Sequence, residues 1–378
     1  MRYLNIIFSN ATGGESNVFR AFSDYYGTED LVIYDVHSGS FTDRLRFFPR
    51  KFFGMLLRIN RDGGLFVASL FSSKFLRKSI LEDYDAIFFH TSSLLIPKMY
   101  NAIPIIYTPP RAFTDRYEEV REIVRKINPL YLPLFSLAKR IFNALYRKSL
   151  KNSKIILCIS ETVNDRLHRY YGTGGNVVHL FVNIEEFSPG EFHKYFLCVS
   201  RITPSKRQHA AIEAFKKFFE KNKEFRMVIA GTTDNNDHSR KYFDKLREMS
   251  SGYPVEFVDS PSWERVKELY SNCYLTLFTA ENEDFGLVPL ESMASSKPVI
   301  AFDEGGPRET VVNGISGFLV KSVDEMASKM LFLAERPEVA VDMGLKGREI
   351  VEKKFSPSSF FSEIDSILES VSSRRNSY

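Results

Sequence analysis

Cysteine is scarce in this chain, and no apolar run is long enough to cross a bilayer. The three cysteines, Cys158, Cys198 and Cys273, lie far apart, each inside an apolar strand-like run. They read as reduced core residues, so neither a disulfide framework nor a thiolate metal site is expected. Met1 leads straight into "YLNIIF", without the basic stretch and cleavable apolar segment of a secretory signal, and a chain that stays in the cytoplasm is expected. Internal repeats and low-complexity tracts are missing too. So are the Gly-x-Gly-x-x-Gly turn of NAD-binding folds joined to an acidic end of the second strand, an Asp-x-Asp pair at a strand end, and any nucleic-acid motif. These absences disfavour hydride chemistry, paired-aspartate metal chemistry and a nucleic-acid partner, so no cofactor and no metal are expected. The "DFG" at 284–286 lacks the His-Arg-Asp loop that a kinase needs.

What is present is an ordinary globular composition, 44% hydrophobic and 26% charged, over 378 residues. That length suits two domains. The net charge of +4 conceals an asymmetry: 25 basic against 17 acidic residues over 1–185 leave +8, and 26 against 30 over the remainder leave −4. An anionic partner for the first half follows. Strand-like runs alternate with amphipathic ones: "YLNIIF", "DLVIYDV", "DAIFFH", "IPIIY", "KIILCI" and "VVHLF", then, after a turn-rich break at about 183–194, "YFLCVS", "FRMVIAG", "VEFVD", "YLTLFT" and "KPVIAFD". Continuous apolar strands are those of parallel sheets covered on both faces, so two doubly wound α/β domains in tandem are predicted. Beyond "KFSPSSF" a last helix over about 357–371 is predicted, with Ser356 as N-cap and Pro357 at its first position.

Ligands of such sheets lie beyond the carboxyl ends of the strands, which directs attention to the loops there. Gly13 and Gly14 follow the first strand and precede a helix, where backbone amides can face an anion or a sugar. Arg201 and Lys206 follow "YFLCVS", and a diphosphate is the natural ligand for two cations so placed. In "ENEDFGLVPLESMASSKPVIAFDEGGPRE" (281–309), a strand exit is followed by a helix start at Gly286 whose first-turn amides and dipole favour an anion. Glu283 lies on the exit loop and Glu291 within the helix, so they suit hydroxyls of one elongated polyol rather than a close acid/base pair. Gly305, Gly306 and Pro307 repeat the pattern as a second phosphate cradle. Glu281, Asp284, Asp303, Glu304 and Glu309 read as caps or solvated loop charges.

Two segments, 43–62 and 125–154, interleave Arg and Lys with Phe, Leu, Tyr and Met. Such texture suits a helix lying in an anionic membrane interface, the alternative being a core helix with a solvated basic back.

Glu-x7-Glu as "EDFGLVPLE" followed by "ASSKPVIAFDEGGPRETVVNGISGFLV", the Arg-x4-Lys loop in "SRITPSKRQHAAIEAF", the "GGES" loop, and "ISETVNDRLHRYYG" with "VNIEEFSPG" together resemble the retaining glycosyltransferases of family 4. The resemblance implies the GT-B fold: two Rossmann-like doubly wound domains facing each other across a donor-binding cleft. On this chain they are 1–187 on the acceptor side, 188–355 for the nucleotide sugar, and a C-terminal helix over 356–378 packing back on the first domain. It further implies that Arg201 and Lys206 hold the diphosphate, Glu291 the ribose hydroxyls and Glu283 the donor sugar near the reacting carbon. Amides at Phe285, Gly286 and Leu287 cover phosphates and sugar. Activity without a divalent metal, transfer of a hexose to a lipid-linked or growing glycan, and a cytoplasmic, peripheral membrane location follow as expectations. The "TPPR" segment favours mannose from GDP-mannose, with UDP-hexose second. In a subset of the family a His precedes that segment, whereas this chain has Tyr107 there; His90, Arg111 and Asp115 are the other acceptor-side candidates. A non-catalytic nucleotide-sugar-binding partner is the rival from another class. A pyridoxal-dependent phosphorylase is disfavoured by the short chain.

Overall fold

A computed structural model describes residues 2–9, 14–35, 40–41, 81–91, 99, 101–233 and 237–373. Two units divide between Val178 and His179.

In the first unit a seven-stranded sheet runs in the order β3-β2-β1-β4-β5-β6-β7. Its strands are β1 (Tyr3–Ser9), β2 (Glu29–Asp35), β3 (Ser40–Phe41), β4 (Ala86–Thr91), β5 (Ala102–Ile106), β6 (Leu157–Cys158) and β7 (Asn176–Val177). All pairs are parallel except β2 with the edge strand β3, which the sequence did not announce. β2 does end on an acid, Asp35, against expectation; only the glycine fingerprint is missing there. Between the strands run α1 (Gly14–Tyr26), α2 (Tyr117–Ile127), α3 (Leu132–Leu150) and α4 (Glu161–Tyr171). Ser160 caps α4 by accepting from the Val163 amide at 3.0 Å. The segment 43–62, read above as a basic amphipathic stretch, lies outside the described residues.

The second unit holds a fully parallel sheet in the order β10-β9-β8-β11-β12-β13. It comprises β8 (Tyr195–Val199), β9 (Arg226–Gly231), β10 (Val255–Asp259), β11 (Leu275–Phe278), β12 (Val299–Phe302) and β13 (Gly317–Val320). The helices are α5 (Gln208–Lys221), α6 (Asp237–Ser250), α7 (Trp263–Asn272), α8 (Leu287–Ala294), α9 (Pro307–Thr310), α10 (Val323–Ala334), α11 (Pro337–Lys354) and α12 (Pro357–Ser373). This is the dinucleotide-fold order, and it reverses direction between β8 and β11. The loops leaving those two strands therefore flank the place where such sheets bind ligands.

The division falls nine residues before the expected boundary at 187/188 because 179–187 is bonded into the second unit. His179 meets Glu309, the Val182 amide donates to the Phe355 carbonyl at 3.1 Å, and Phe181 packs on Phe360 and Phe361 of α12. α12, expected as a separate segment from residue 356, is grouped with the second unit by these contacts. Its predicted cap is present, the Ser359 amide donating to Ser356 Oγ at 3.3 Å.

The three cysteines are free and buried, as their apolar surroundings required. A lysine is buried as well. Lys297 donates from Nζ to the carbonyls of Gly190 and Glu191, both at 2.9 Å, over the Phe192 ring. Burial lowers its pKa to about 8. It thereby anchors the segment that leads into β8.

Candidate functional site

β8 delivers the chain into 200–207, where Pro204–Lys206 form a 3-10 turn and Arg207 takes a left-handed conformation, φ 49°. An arginine accepts that strain only where its side chain is held. Here Nε donates to the Thr279 carbonyl at 2.9 Å, the guanidinium pairs with Glu304, and it lies over the Phe302 ring at 4.7 Å. Arg207 thus ties the exits of β11 and β12 to that of β8. Gln208, fully buried, closes the loop from behind by donating to Ser200 Oγ at 2.8 Å and to the Arg201 carbonyl at 2.9 Å.

The β11 exit is laced to the same loop. The Glu281 amide donates to the Ser205 carbonyl and Thr279 Oγ1 to the Lys206 carbonyl, each at 2.8 Å. Those bonds place Lys206 Nζ 2.6 Å from Glu283 Oε2, with both side chains partly buried. Arg201 is exposed and makes no ion pair among the described residues. Gly286 follows at φ 86°, a conformation costly for any side chain, and turns the chain into α8. The amides at Gly286 and Leu287 belong to the start of that helix, where N–H groups have no intrahelical acceptor. Phe285 is buried, stacked on His179 with ring centres 5.7 Å apart and tilted against Phe355 at 6.0 Å.

Further along α8, Glu291 Oε2 accepts from the Tyr270 hydroxyl at 2.7 Å. Burial raises the Glu291 pKa to about 7, against the lowering effect of the Tyr270 hydrogen bond. A folded pKa above the unfolded one means that folding favours the neutral acid. Stability is therefore fullest below the ordinary carboxylate range and is lost as pH rises through about 7. Glu291→Gln should flatten the melting temperature between about pH 4.5 and 7. Tyr270→Phe should move the titration upward, and an unchanged slope in both variants would remove Glu291 as its source.

At Gly305 and Gly306 the expected open cradle is not what the glycines serve. A Cβ on Gly305 would come within 2.5 Å of the Glu283 carbonyl oxygen, and one on Gly306 would collide with the Phe285 backbone. The Gly306 amide is already engaged, donating to the Glu283 carbonyl at 2.9 Å. Glycine is needed there because two backbones touch. Three acids read as caps or solvated charges also have partners: Glu304 pairs with Arg207, Glu309 accepts from or donates its proton to His179 Nε2 at 3.0 Å, and Asp303 holds Arg308 at 2.8 Å. Arg207 and His179 escaped the sequence reading. The only signal for Arg207 was its place next to Lys206; His179 had none.

In the first unit Gly13 lies outside the described residues and Gly14 opens α1. His90 is fully buried, its Nδ1 2.8 Å from the Tyr107 hydroxyl and its Nε2 2.6 Å from Asn5 Oδ1. Burial lowers its pKa to about 3, so it stays a neutral imidazole with both nitrogens bonded. Tyr107 is buried with it. Arg111 pairs with Asp115 at 2.9 Å, and Arg166 reaches the same carboxylate at 3.7 Å. Those cations share the burden of holding Asp115 below its usual range against its own burial. No cluster of His, Cys, Asp or Glu able to hold a metal ion occurs among the described residues.

Two doubly wound units, with a laced cation, carboxylate and helix-start cluster at the switch point of the second, define a protein of the GT-B fold class. Solved structures share that fold along nearly the whole chain: Anabaena Alr3699/HepE in complex with UDP and glucose (TM-score 0.69, 16% identity, 98% of this chain and 100% of that one) and sucrose-phosphate synthase from Thermosynechococcus elongatus (0.66, 16%, 99% and 100%). Residues 183–350, most of the second unit, match the model of the glycosyl transferases group 1. Similar curated proteins include the alpha-1,3/1,6-mannosyltransferase ALG2 of Dictyostelium discoideum, 31% identical over 193 residues (47% of this chain, 46% of the relative). The O-antigen chain mannosyltransferase RfbU of Salmonella typhimurium is 30% identical over 195 residues (50% and 54%), and the trehalose synthase of Pyrococcus horikoshii 33% over 164 (42% and 39%). The chain spans about half or less of the length of these relatives.

Proposed function

We propose that this chain is a retaining glycosyltransferase that moves a hexose from a nucleotide sugar to a lipid-linked or growing glycan, with mannose from GDP-mannose as the preferred donor. The observation that carries the reading is the Lys206–Glu283 pair, 2.6 Å apart beside the start of α8. A diphosphate entering there exchanges Glu283 for phosphate oxygens as the partner of Lys206, and the freed carboxylate accepts from a hydroxyl of the sugar. Arg201 supplies the second cation and Glu291 accepts from the ribose. Breaking the bond from anomeric carbon to phosphate oxygen leaves a more negative diphosphate and an oxocarbenium-like sugar. Two cations and helix-start amides stabilise that leaving group, while the acceptor oxygen forms its bond on the face being vacated and passes its proton to the departing phosphate oxygen. With charge carried this way, the reaction proceeds without a divalent metal.

Mannose is favoured by the names of two relatives, both mannosyltransferases. A UDP-hexose donor is the alternative, supported by a structural neighbour captured with UDP and glucose. A screen of GDP- and UDP-sugars by thermal shift tests the donor, because a ligand of the folded state raises the melting temperature. GDP-mannose is expected to give the largest shift and, with a membrane lipid extract and a chelator present, to release GDP. A shift without release would favour the non-catalytic partner. Activity strictly dependent on added Mn²⁺ would contradict the metal-free account.

A further inference from the structure

From Ile123 to Ser160 the chain contains no Asp or Glu and eight Lys or Arg. The antiparallel pair α2 and α3, joined by the turn Pro129–Tyr131, carries most of that run. One face of α3 is committed to the interior: Phe142 packs on Phe113 and Tyr146, and Phe135 stacks on Tyr117 at 5.5 Å. On its other side Leu134, Leu137 and Ile141, spaced as one helical stripe, are 66%, 53% and 53% exposed. Ile127 on α2 and Leu130 in the turn extend the stripe at 71% and 83%. Seven of the twelve large apolar side chains exposed among the described residues fall within 123–141, so the exposure is concentrated rather than scattered. Arg121 and Arg125 are matched by Glu118 and Glu122 on their own helix. Lys126, Arg140 and Lys148 are exposed and make no ion pair among the described residues.

We infer that the α2–α3 hairpin is a membrane-docking surface, which seats the Leu130, Leu134, Leu137 and Ile141 stripe in the interface of a bilayer bearing anionic lipid. Charge decides the occupant. Two copies of this chain would bring the same basic rim together, whereas anionic headgroups complement it. A fluid acyl boundary also accepts protruding apolar side chains without matched shape. No helix among the described residues is long and apolar enough to cross a membrane, so the hairpin would lie in the interface plane.

Co-sedimentation of the full chain with phosphatidylcholine vesicles, alone or mixed with phosphatidylglycerol, tests this. Binding is expected to the mixed vesicles, weakly or not at all to the neutral ones, and to fall with added salt. The triple change Leu134→Ser, Leu137→Ser, Ile141→Ser alters exposed positions only and should keep the melting temperature while weakening binding by about tenfold or more. Arg140→Glu with Lys148→Glu should act in the same direction. No binding by the native chain, or equal binding by all variants, would overturn the inference, as would concentration-dependent dimerisation that the triple change abolishes. Vesicles carry no sugar donor, so this outcome and that of the transfer assay fail independently.

Discussion

Lys206→Ala is expected to lower kcat/KM for the nucleotide-sugar donor by about a thousandfold and to weaken nucleoside diphosphate binding as well. The loss exceeds that of one cation because of what is left behind. With the ammonium gone, Glu283 stands as an unopposed carboxylate where the proposed function puts the diphosphate, adding repulsion to lost attraction. Removing both should therefore be milder for binding than removing Lys206 alone. The double variant Lys206→Ala, Glu283→Ala should bind nucleoside diphosphate more tightly than the single one, a departure from additivity that titration calorimetry reads directly. Strict additivity would mean that the pair plays no part in admitting the ligand.

Glu283→Ala separates binding from turnover. Losing its carboxylate frees Lys206, so nucleoside diphosphate should bind as well as before or better, while kcat falls by about a thousandfold because the donor sugar loses the acceptor beside its reacting carbon. Steady-state assays with the donor together with diphosphate titrations check both halves. Near-normal turnover would take Glu283 out of the site. Binding lost in parallel with rate would instead give its side chain a purely architectural part, that of holding Lys206 in place.

Most strands and the tandem arrangement were legible because buried parallel strands are written as continuous apolar runs, from "YLNIIF" to "KPVIAFD", whereas of "VVHLF" only Val177 lies in a strand. β13 was harder to read: "GFLV" is four residues long, and it fits only because Gly317 lets its backbone lie against Val299. The edge strand β3, two residues long, has no periodicity to detect. At the candidate site, Lys206 and Glu283 could be singled out from their position after strands and Glu291 from its place in the helix that follows. Their relations could not: that Lys206 faces Glu283, that Tyr270 bonds Glu291, or that Glu309 belongs to His179 depends on pairings between residues up to 130 positions apart. The glycines at 305 and 306 were visible, but what they approach was not. Gly-Gly before Pro reads the same whether it clears space for a phosphate or for another loop's backbone.

That second use has an engineering corollary. Gly306 bonded to Glu283, and Arg207 gripping both Thr279 and Glu304, join three strand exits that lie far apart along the chain. A chimera that imports the 281–309 stretch from a homologue, yet keeps its own 200–207 loop, would leave the Arg207–Glu304 and Lys206–Glu283 pairs to be made between two parents. If the proposed site is the donor site, the transplantable unit is the three exits together, carried as one cassette.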